Sequence, residues 1–361
     1  MPAIEIEESG LIEKGDSAYP TVVRLDGGDL LAAYTIGGGA LATGGTVCSL
    51  SKDRGRTWER CSVILPPGED PPTRNSLRLS RTADGTILAY GMEADRKEGK
   101  MQFGEKQRRD PVLCYSGDEG ATWSPRKLLA TPISGPFEIS NPILVLRDGR
   151  LLAPATTMES ADRLGERVLV FDSPDGGETW PGTAVAMEDP GKKKGFFEKK
   201  MIELDPGHLL ITAWTVTLPE YADLENHFAV SRDGGRTWCE PRATGIRGQT
   251  LTPVWMGQDR LLVLYNRRYG DQGVQAAVVR FTDESWEVLG ESTIWDARAS
   301  REASIQDGSN LEELKTFAFG LPSAICLDTL NSSYLAVHWC EESGICGIRW
   351  TRFNIIEGMQ N

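Results

Sequence analysis

The chain of 361 residues contains no apolar run of the ~18 residues that a membrane-spanning helix needs. Its first ten residues, MPAIEIEESG, include neither a basic segment nor an apolar one, so they do not resemble a secretion signal. From these two absences we expect a cytoplasmic protein that has no membrane partner.

Histidine is scarce and the cysteines are not arranged in pairs. The three histidines, His208, His227 and His338, lie far apart, and no CxxC motif occurs among the seven cysteines. Because structural zinc sites use closely spaced Cys and His ligands, we predict neither a metal nor another cofactor. Scattered cysteines, odd in number, are typical of reduced and mostly buried thiols in a reducing compartment.

An excess of positive charge is also missing. The chain has 39 Lys and Arg residues against 52 Asp and Glu residues, which gives a formal net charge of −13. Proteins that bind nucleic acid carry basic surfaces, so we do not expect a nucleic-acid partner.

What the sequence does contain is an eight-residue motif, Ser-x-Asp-x-Gly-x-Thr-Trp, present four times. We call these segments boxes; they are SKDRGRTW (51–58), SGDEGATW (116–123), SPDGGETW (173–180) and SRDGGRTW (231–238). They begin at intervals of 65, 57 and 58 residues. A repeat of this regularity indicates a structural unit, whereas a calcium loop or a catalytic acid would not be needed four times.

The segments between the boxes predict short β-strands. Each box follows two apolar runs joined at a turn built on Asp-Gly or a close variant, as in 19–34 and 141–156, and then a third run that leads into the box. Asp and Gly favour tight hairpin turns. The unit is therefore four strands in about 60 residues, with the box as a structural staple in the turn between the third and fourth strands.

Two weaker units follow at 251–289 and 321–356, and the second of these lacks a fourth strand. The N-terminal segment AIEIEE (3–8) can supply that strand and so close a ring without free edges. We predict an all-β fold, a six-bladed β-propeller of four-stranded blades that forms a single domain over residues 1–361. The predicted blades are 19–66, 74–131, 138–187, 197–245, 249–295, and 320–356 with 3–8.

Four such boxes in six four-stranded units resemble the Asp boxes of the sialidase (neuraminidase) superfamily of BNR-repeat propellers, over nearly the whole chain. The resemblance implies the fold more strongly than a reaction, because the superfamily includes sialidases, other exo-acting glycosidases and non-catalytic members. Its sialidases hold the substrate carboxylate with three arginines, the first in an Arg-Ile-Pro motif, and use a Tyr assisted by a Glu, with an Asp as acid/base. Here Ala18-Tyr19-Pro20 stands at the position of the first motif, and no loop Asp marks an acid/base. These departures argue against sialic acid as the substrate, but we still expect a pocket that binds a glycan.

The boxes occupy one face of the predicted propeller, so we expect the site on the other face, where the first strands begin and the longer loops meet. Glu198 and Glu138 stand in apolar surroundings and are the predicted catalytic carboxylates, with Tyr265 as a third catalytic candidate. The other predicted positions are substrate contacts: Arg74, Arg267 and Arg268 for a carboxylate, and Tyr19, Asn75, Asn141, Lys199, Gln249, Thr252 and His338.

Two long segments are expected near this opening. The insertion 91–110 carries six basic residues, and with neighbouring lysines and arginines it makes the opening more basic than the rest of the protein. That distribution favours an acidic sugar or another anionic ligand. The connector 296–320 is expected to form a short helix from Ser309 or Asn310 and to fold over the opening.

These observations predict a sialidase-superfamily glycoside hydrolase that acts on a terminal acidic sugar without a metal. One alternative is a non-catalytic glycan-binding propeller, and another is a lyase or epimerase of uronic sugars with Tyr265 or His338 as the base. Two carboxylates in one axial pocket would favour hydrolysis. The oligomeric state is left open.

Overall fold

A computed structural model describes residues 2–37, 39, 42–96, 108–297, 318–330 and 332–356. Within these ranges the chain forms six antiparallel sheets arranged in a ring, which confirms the predicted six-bladed β-propeller. In the same part of the chain, no helix is long and apolar enough to cross a membrane. Most of the basic insertion (97–107) and of the second connector (298–317, with Ser309 and Asn310) lies outside the described residues.

The strands are numbered in chain order from β1 (Ala3–Lys14). Blade one contains β2 (Ser17–Arg24), β3 (Leu30–Ile36), β4 (Thr46–Ser51) and β5 (Glu59–Leu65). Blade two contains β6 (Thr73–Arg81), β7 (Ile87–Asp95), β8 (Arg109–Ser116) and β9 (Lys127–Leu128). Blade three contains β10 (Phe137–Glu138), β11 (Leu144–Val145), β12 (Leu151–Thr157), β13 (Arg167–Ser173) and β14 (Gly182–Glu188).

Blade four contains β15 (Lys194–Asp205), β16 (His208–Thr217), β17 (Glu225–Ser231) and β18 (Arg242–Arg247). Blade five contains β19 (Gln249–Gly257), β20 (Arg260–Arg267), β21 (Gly273–Thr282) and β22 (Ser285–Asp296). Blade six contains β23 (Phe319–Asp328), β24 (Ser333–Glu342) and β25 (Ile345–Ile356), and β1 completes it.

The N-terminal strand closes the ring as predicted. Strand β1 pairs antiparallel with β25, from Ala3 opposite Ile356 to Lys14 opposite Gly347. It is longer than the predicted 3–8, because two register shifts, at Ile6/Glu8 and Leu11/Glu13, let it follow β25 to its start. Closure leaves the last blade with a full set of four strands, and β1 covers the edge of β25.

The boxes lie in the turns between the third and fourth strands and share one hydrogen-bond pattern. In the second box, Asp118 accepts bonds from the Thr122 backbone N–H (2.9 Å) and the Thr122 hydroxyl (2.5 Å). The Ser116 hydroxyl donates to Asp118 and accepts from the Gly120 N–H (2.9 Å). The other three boxes repeat these bonds, so the box is a structural staple as predicted.

The core lies between neighbouring blades. Leu31 and Ala33 of blade one, for example, pack with Leu79 and Ala89 of blade two, and all four are buried. Similar clusters fill the other interfaces. Because each blade buries both faces, its middle strands are apolar on both sides, and the removal of this surface from water is the main stabilising contribution.

The first strands of blades one, four, five and six are irregular. Two-residue bulges interrupt their pairing at Ala18/Thr21, Phe197/Lys200, Gln249/Thr252 and Gly320/Ser323. Each bulge holds a non-glycine residue at positive φ, including Tyr19 (60°) and Glu198 (47°). Such backbone is uncommon outside glycine and occurs where surrounding structure imposes it, often at functional sites.

Blade three departs from the prediction of one continuous first strand. Its first strand is divided into β10 and β11, which both pair with β12, and residues 139–143 separate them. The thiol prediction is also only partly right: all seven cysteines are free, but only Cys48, Cys114 and Cys340 are buried, and Cys61 is exposed.

Candidate functional site

The first strands line the axis of the ring. Strand β2 contacts β6 and β23, and β19 contacts β15 and β23, so these strands are one another's neighbours. Side chains near their N-terminal ends, joined by residues from adjoining loops and strands, therefore meet in one place. We call this group the axial cluster; it comprises Tyr19, Arg74, Arg78, Arg109, Glu138, Glu198, Lys199, Lys200 and Arg268.

Glu198 is the carboxylate with the most perturbed surroundings. Desolvation raises its pKa to about 7; Arg268 opposes this shift, and the nearby Glu138 adds to it. The residue keeps partial exposure, yet its Oε2 atom is buried and has no hydrogen-bond partner among the described residues. The bulge at Phe197/Lys200 thus presents a carboxyl group that can hold a proton near neutral pH.

Glu138 has the opposite character. Burial alone would raise its pKa, but the Lys199 ammonium more than offsets this, so the pKa lies below its usual range. Lys199 is fully buried, and its Nζ donates to Glu138 Oε2 at 2.8 Å and also to the Glu138 backbone carbonyl. Glu138 is therefore ionised where Glu198 is protonated.

Basic side chains outnumber the two glutamates in the axial cluster by six to two, although burial lowers the pKa of one of them, Lys200, to about 7. Arg78, Arg109 and Arg268 are buried, and desolvation lowers the pKa of each to about 10, which still leaves them protonated near neutral pH. Arg74 is partly exposed. A positive centre inside a protein of net charge −13 attracts anions to the opening.

A chain of hydrogen bonds fixes Arg268. Its guanidinium donates to Gln249 Oε1 (3.0 Å) and to the Phe319 carbonyl. The Gln249 amide donates to Asp223 (2.8 Å), and Asp223 also accepts the Trp214 indole N–H (2.7 Å). Gln249, Asp223 and Trp214, from blades four and five, thereby hold the arginine near Glu198.

Tyr19 completes the cluster from the bulge of blade one. Its ring is partly exposed, and the Arg78 guanidinium lies 5.5 Å from the ring centroid. Desolvation raises the pKa of its hydroxyl to about 12, and the Glu198 carboxylate adds to the shift. The phenol therefore remains protonated and can act as a hydrogen-bond donor at neutral pH.

Three predicted substrate contacts form hydrogen bonds that tie neighbouring blades together. Asn75 accepts from the Thr46 hydroxyl (2.8 Å) and donates to the Leu65 and Pro66 carbonyls. The following contacts are of the same kind: Asn141 accepts the Met201 N–H (3.3 Å), and the Thr252 hydroxyl donates to the Pro322 carbonyl (2.7 Å). These groups already have protein partners, because the first strands need them at the blade junctions.

The structure does not bring Tyr265, Arg267 or His338 into the axial cluster. The Tyr265 hydroxyl donates to Glu291 and accepts from Arg267 (2.8 Å), so both residues face the outer strand β22. His338 is fully buried against Trp295, with ring centroids 5.1 Å apart, and burial lowers its pKa to about 3. These surroundings are structural.

Arg78 and Asp223 are cluster or supporting residues that the sequence did not predict. Arg78 lies in LRLSR, where the alternation of apolar and basic residues resembles a strand with a solvated face. In a first strand, however, both faces are enclosed by neighbouring blades. An arginine in the middle of a predicted first strand therefore indicates a side chain buried near the axis of the ring. Across the described ranges, no group of three or more His, Cys, Asp or Glu residues is placed to hold a metal ion.

Comparison with known proteins supports the fold. The chain matches the family described as BNR repeat-like domain over residues 28–311, whereas no curated protein matches it. A crystal structure of a protein of unknown function from Dyadobacter fermentans DSM 18053 is 18% identical, with a TM-score of 0.75 and coverage of 99% of this chain and 100% of that one.

Two solved enzymes have the same fold. The Hadza microbial sialidase Hz136 is 18% identical (TM-score 0.65), with coverage of 95% of this chain and 66% of that one. The Penicillium chrysogenum alpha-L-arabinanase, complexed with arabinobiose, is 15% identical (TM-score 0.65), with coverage of 97% and 98%. The family match spans well over half of the chain, and these likenesses agree with its fold: the protein belongs to the BNR repeat-like domain family and is a six-bladed β-propeller.

Proposed function

We propose that the protein is a glycoside hydrolase that removes a terminal acidic sugar, with Glu198 as the general acid. One observation carries the proposal: two glutamates in the same cluster have surroundings that move their pKa values in opposite directions. Pairs of carboxyl groups separated in this way serve as the acid and the base or nucleophile of glycosidases.

The roles follow from the protonation states. The protonated Glu198 donates its proton to the glycosidic oxygen as the bond to the anomeric carbon breaks. The ionised Glu138 either removes a proton from the attacking water or attacks the anomeric carbon, and water then releases the sugar. Lys199 keeps Glu138 ionised, at 2.8 Å from its carboxylate.

The excess of positive charge supports an acidic substrate. Arg74 lies near Tyr19, and Arg268 lies near both Tyr19 and Glu198. A guanidinium matches a carboxylate with two parallel hydrogen bonds. Tyr19 adds a phenolic donor and a ring face for the sugar C–H surface. Since Ala18 occupies the position of the first family arginine, a uronic acid fits this proposal as well as a sialic acid does.

A non-catalytic glycan-binding propeller is the second candidate. The observation that favours it is the Lys199–Glu138 ion pair, because a carboxylate already bound to an ammonium is less available for attack. The proposed lyase or epimerase loses support, since its two candidate bases, Tyr265 and His338, lie in structural surroundings.

The test is turnover of paired glycosides of sialic, uronic and neutral sugars, one with a nitrophenyl and one with a methyl leaving group. Wild type, Glu198→Gln and the matched control Glu291→Gln would be compared, because Glu291 lies in blade five beside Tyr265. We expect hydrolysis of an acidic member only. Glu198→Gln should reduce it by roughly 10²–10⁴-fold, more for the methyl glycoside, which needs protonation of its leaving group.

Two results would contradict the proposal. Equal losses in Glu198→Gln and Glu291→Gln would show that Glu198 is not the acid. Binding of acidic sugars in calorimetry, without hydrolysis of any glycoside, would identify a binding propeller.

A further inference from the structure

We propose that Cys48 and Cys61, on the outer strands of blade one, form a peroxide-sensitive dithiol that closes reversibly to a disulfide. The site is separate from the axial cluster and does not depend on the proposed hydrolase activity. It would make the rim of blade one a place of oxidative modification.

The geometry brings the two thiols together. Their Sγ atoms lie 3.4 Å apart on the paired strands β4 and β5. Pairing passes from Cys48 opposite Ser62 to Ser49 opposite Arg60, so Cys61 is the extra residue of a β-bulge. A disulfide has an S–S bond of about 2.05 Å, so the sulfur atoms need to approach by roughly 1.4 Å, which an unpaired bulge residue can accommodate.

The two thiols differ in solvent exposure, and this difference gives them different roles in the oxidation. Cys61 is exposed and Cys48 is fully buried. The hydrogen bond with Cys48 lowers the pKa of the Cys61 thiol to about 7, while the same contact and burial raise that of Cys48. Exposed thiolates react first with peroxides, and a neighbouring thiol then resolves the product.

The reaction balances with a hydroperoxide as the oxidant. The Cys61 thiolate attacks a peroxide oxygen; the O–O bond breaks, giving Cys61 sulfenic acid and hydroxide or an alkoxide. The Cys48 sulfur then attacks the Cys61 sulfur, an S–S bond forms, and the S–O bond breaks. The departing hydroxide takes the Cys48 proton and leaves as water, so two thiols are oxidised and one peroxide is reduced.

The pair also contacts the next blade. Cys48 Sγ lies 2.9 Å from the Ser62 hydroxyl, which donates to the Gly120 carbonyl (2.5 Å) and accepts the Trp123 indole N–H (3.1 Å). Gly120 and Trp123 belong to the box of blade two. Closure of the disulfide would therefore fix β5 against β4 beside a structural staple, and we expect oxidation to raise the melting temperature.

Tryptic mapping tests the proposal directly. Trypsin places Cys48 in peptide 25–52 and Cys61 in peptide 61–74, and neither peptide contains another cysteine. After treatment with hydrogen peroxide we expect these two peptides to be joined and to separate with a thiol reductant. The free thiols of the denatured protein should fall from seven to five.

Variants sharpen the result. Cys61→Ser should abolish the cross-link, Cys326→Ser should not, and Cys48→Ser should leave a sulfenic acid on Cys61 that a dimedone reagent labels. Thermal melts check that each variant is folded. Three results would overturn the proposal. The first is a cross-link between peptides that contain other cysteines, and the second is oxidation of Cys61 to sulfinic acid while Cys48 can still be alkylated. The third is that both thiols stay reduced at a peroxide concentration that oxidises a free dithiol.

Discussion

The carboxylates of the boxes and those of the axial cluster are opposites. In the third box, hydrogen bonds from Thr179 lower the pKa of Asp175 to about 2, and both of its oxygens accept bonds. In the axial cluster, desolvation raises the pKa of Glu198 to about 7, and its Oε2 has no partner among the described residues. The first environment recurs four times, and the second occurs in a single blade.

This difference distinguishes carboxylates that stabilise the fold from a carboxylate that can take part in a reaction. A repeated carboxylate with every oxygen satisfied contributes to the turn that holds it, and it has no protonation change near neutral pH. A single carboxylate in strained backbone, with a perturbed pKa and an unsatisfied oxygen, reduces local stability and can act on a ligand.

The largest effect is expected from Glu138→Gln. It leaves the fully buried Lys199 ammonium without its carboxylate, and breaking a buried ion pair destabilises by roughly 3–5 kcal/mol. Denaturant unfolding measures this loss, and activity should disappear as well. The double variant Glu138→Gln/Lys199→Met should recover stability without activity; if it does not, the ion pair is not the cause.

Arg74→Met should weaken an acidic ligand. Hydrogen bonds to charged groups contribute about 1.5–3 kcal/mol, so we expect KM for the acidic substrate to rise by roughly 10–100-fold. Because Arg74 is partly exposed, the fold should tolerate the change. An unchanged KM for the acidic substrate in the variant would show that Arg74 does not recognise the anion.

These two predictions concern residues that the sequence identified in advance, and the reason is local. Glu138 and Glu198 stand beside aromatic residues in short segments, and the boxes and hairpin turns depend on neighbours within eight residues. The missing strand of blade six also pointed to the N-terminal segment. Local chemistry of this kind can be interpreted without coordinates.

The remaining site residues depend on distant contacts. The positive φ of Tyr19 and Glu198 occurs at bulges in the strand pairing, and neither residue type signals it. Tyr265 resembled a catalytic tyrosine until its partner Glu291, 26 residues further along the chain, was placed beside it. Arg78 was missed because the alternation of apolar and polar residues in LRLSR resembles a strand with one solvated face, and a first strand has no such face.

Ser231→Ala should affect stability alone. Ser231 is buried, and its hydroxyl accepts the Gly235 N–H (2.9 Å) and donates to Asp233 (2.8 Å). An unsatisfied buried N–H costs about 1–3 kcal/mol, so the free energy of unfolding should fall by that amount with kcat/KM unchanged. A loss of kcat/KM without a loss of stability would place the box in the function.

The smallest effect is in the pH dependence of stability. The pKa of Glu198 lies above its ordinary value of 4.5 in the folded state, so the folded form retains a proton that the unfolded form has lost. Stability from this group is present below pH 4.5 and is lost as the pH rises through about 7. Glu198→Gln should therefore become more stable than wild type with rising pH, by on the order of 1–3 kcal/mol at pH 8. A constant difference across this range would contradict the shift.

The central claim is that Glu198 holds a proton near neutral pH while Glu138 in the same cluster is ionised. The most direct measurement is a ¹³C NMR titration of protein labelled at the glutamate carboxyl carbon, with Glu198→Gln for assignment. The account predicts one resonance that titrates near pH 7 and is missing in the variant. If the resonance missing in the variant titrates near the ordinary glutamate value of 4.5, Glu198 is an ordinary carboxylate and the proposed acid is wrong.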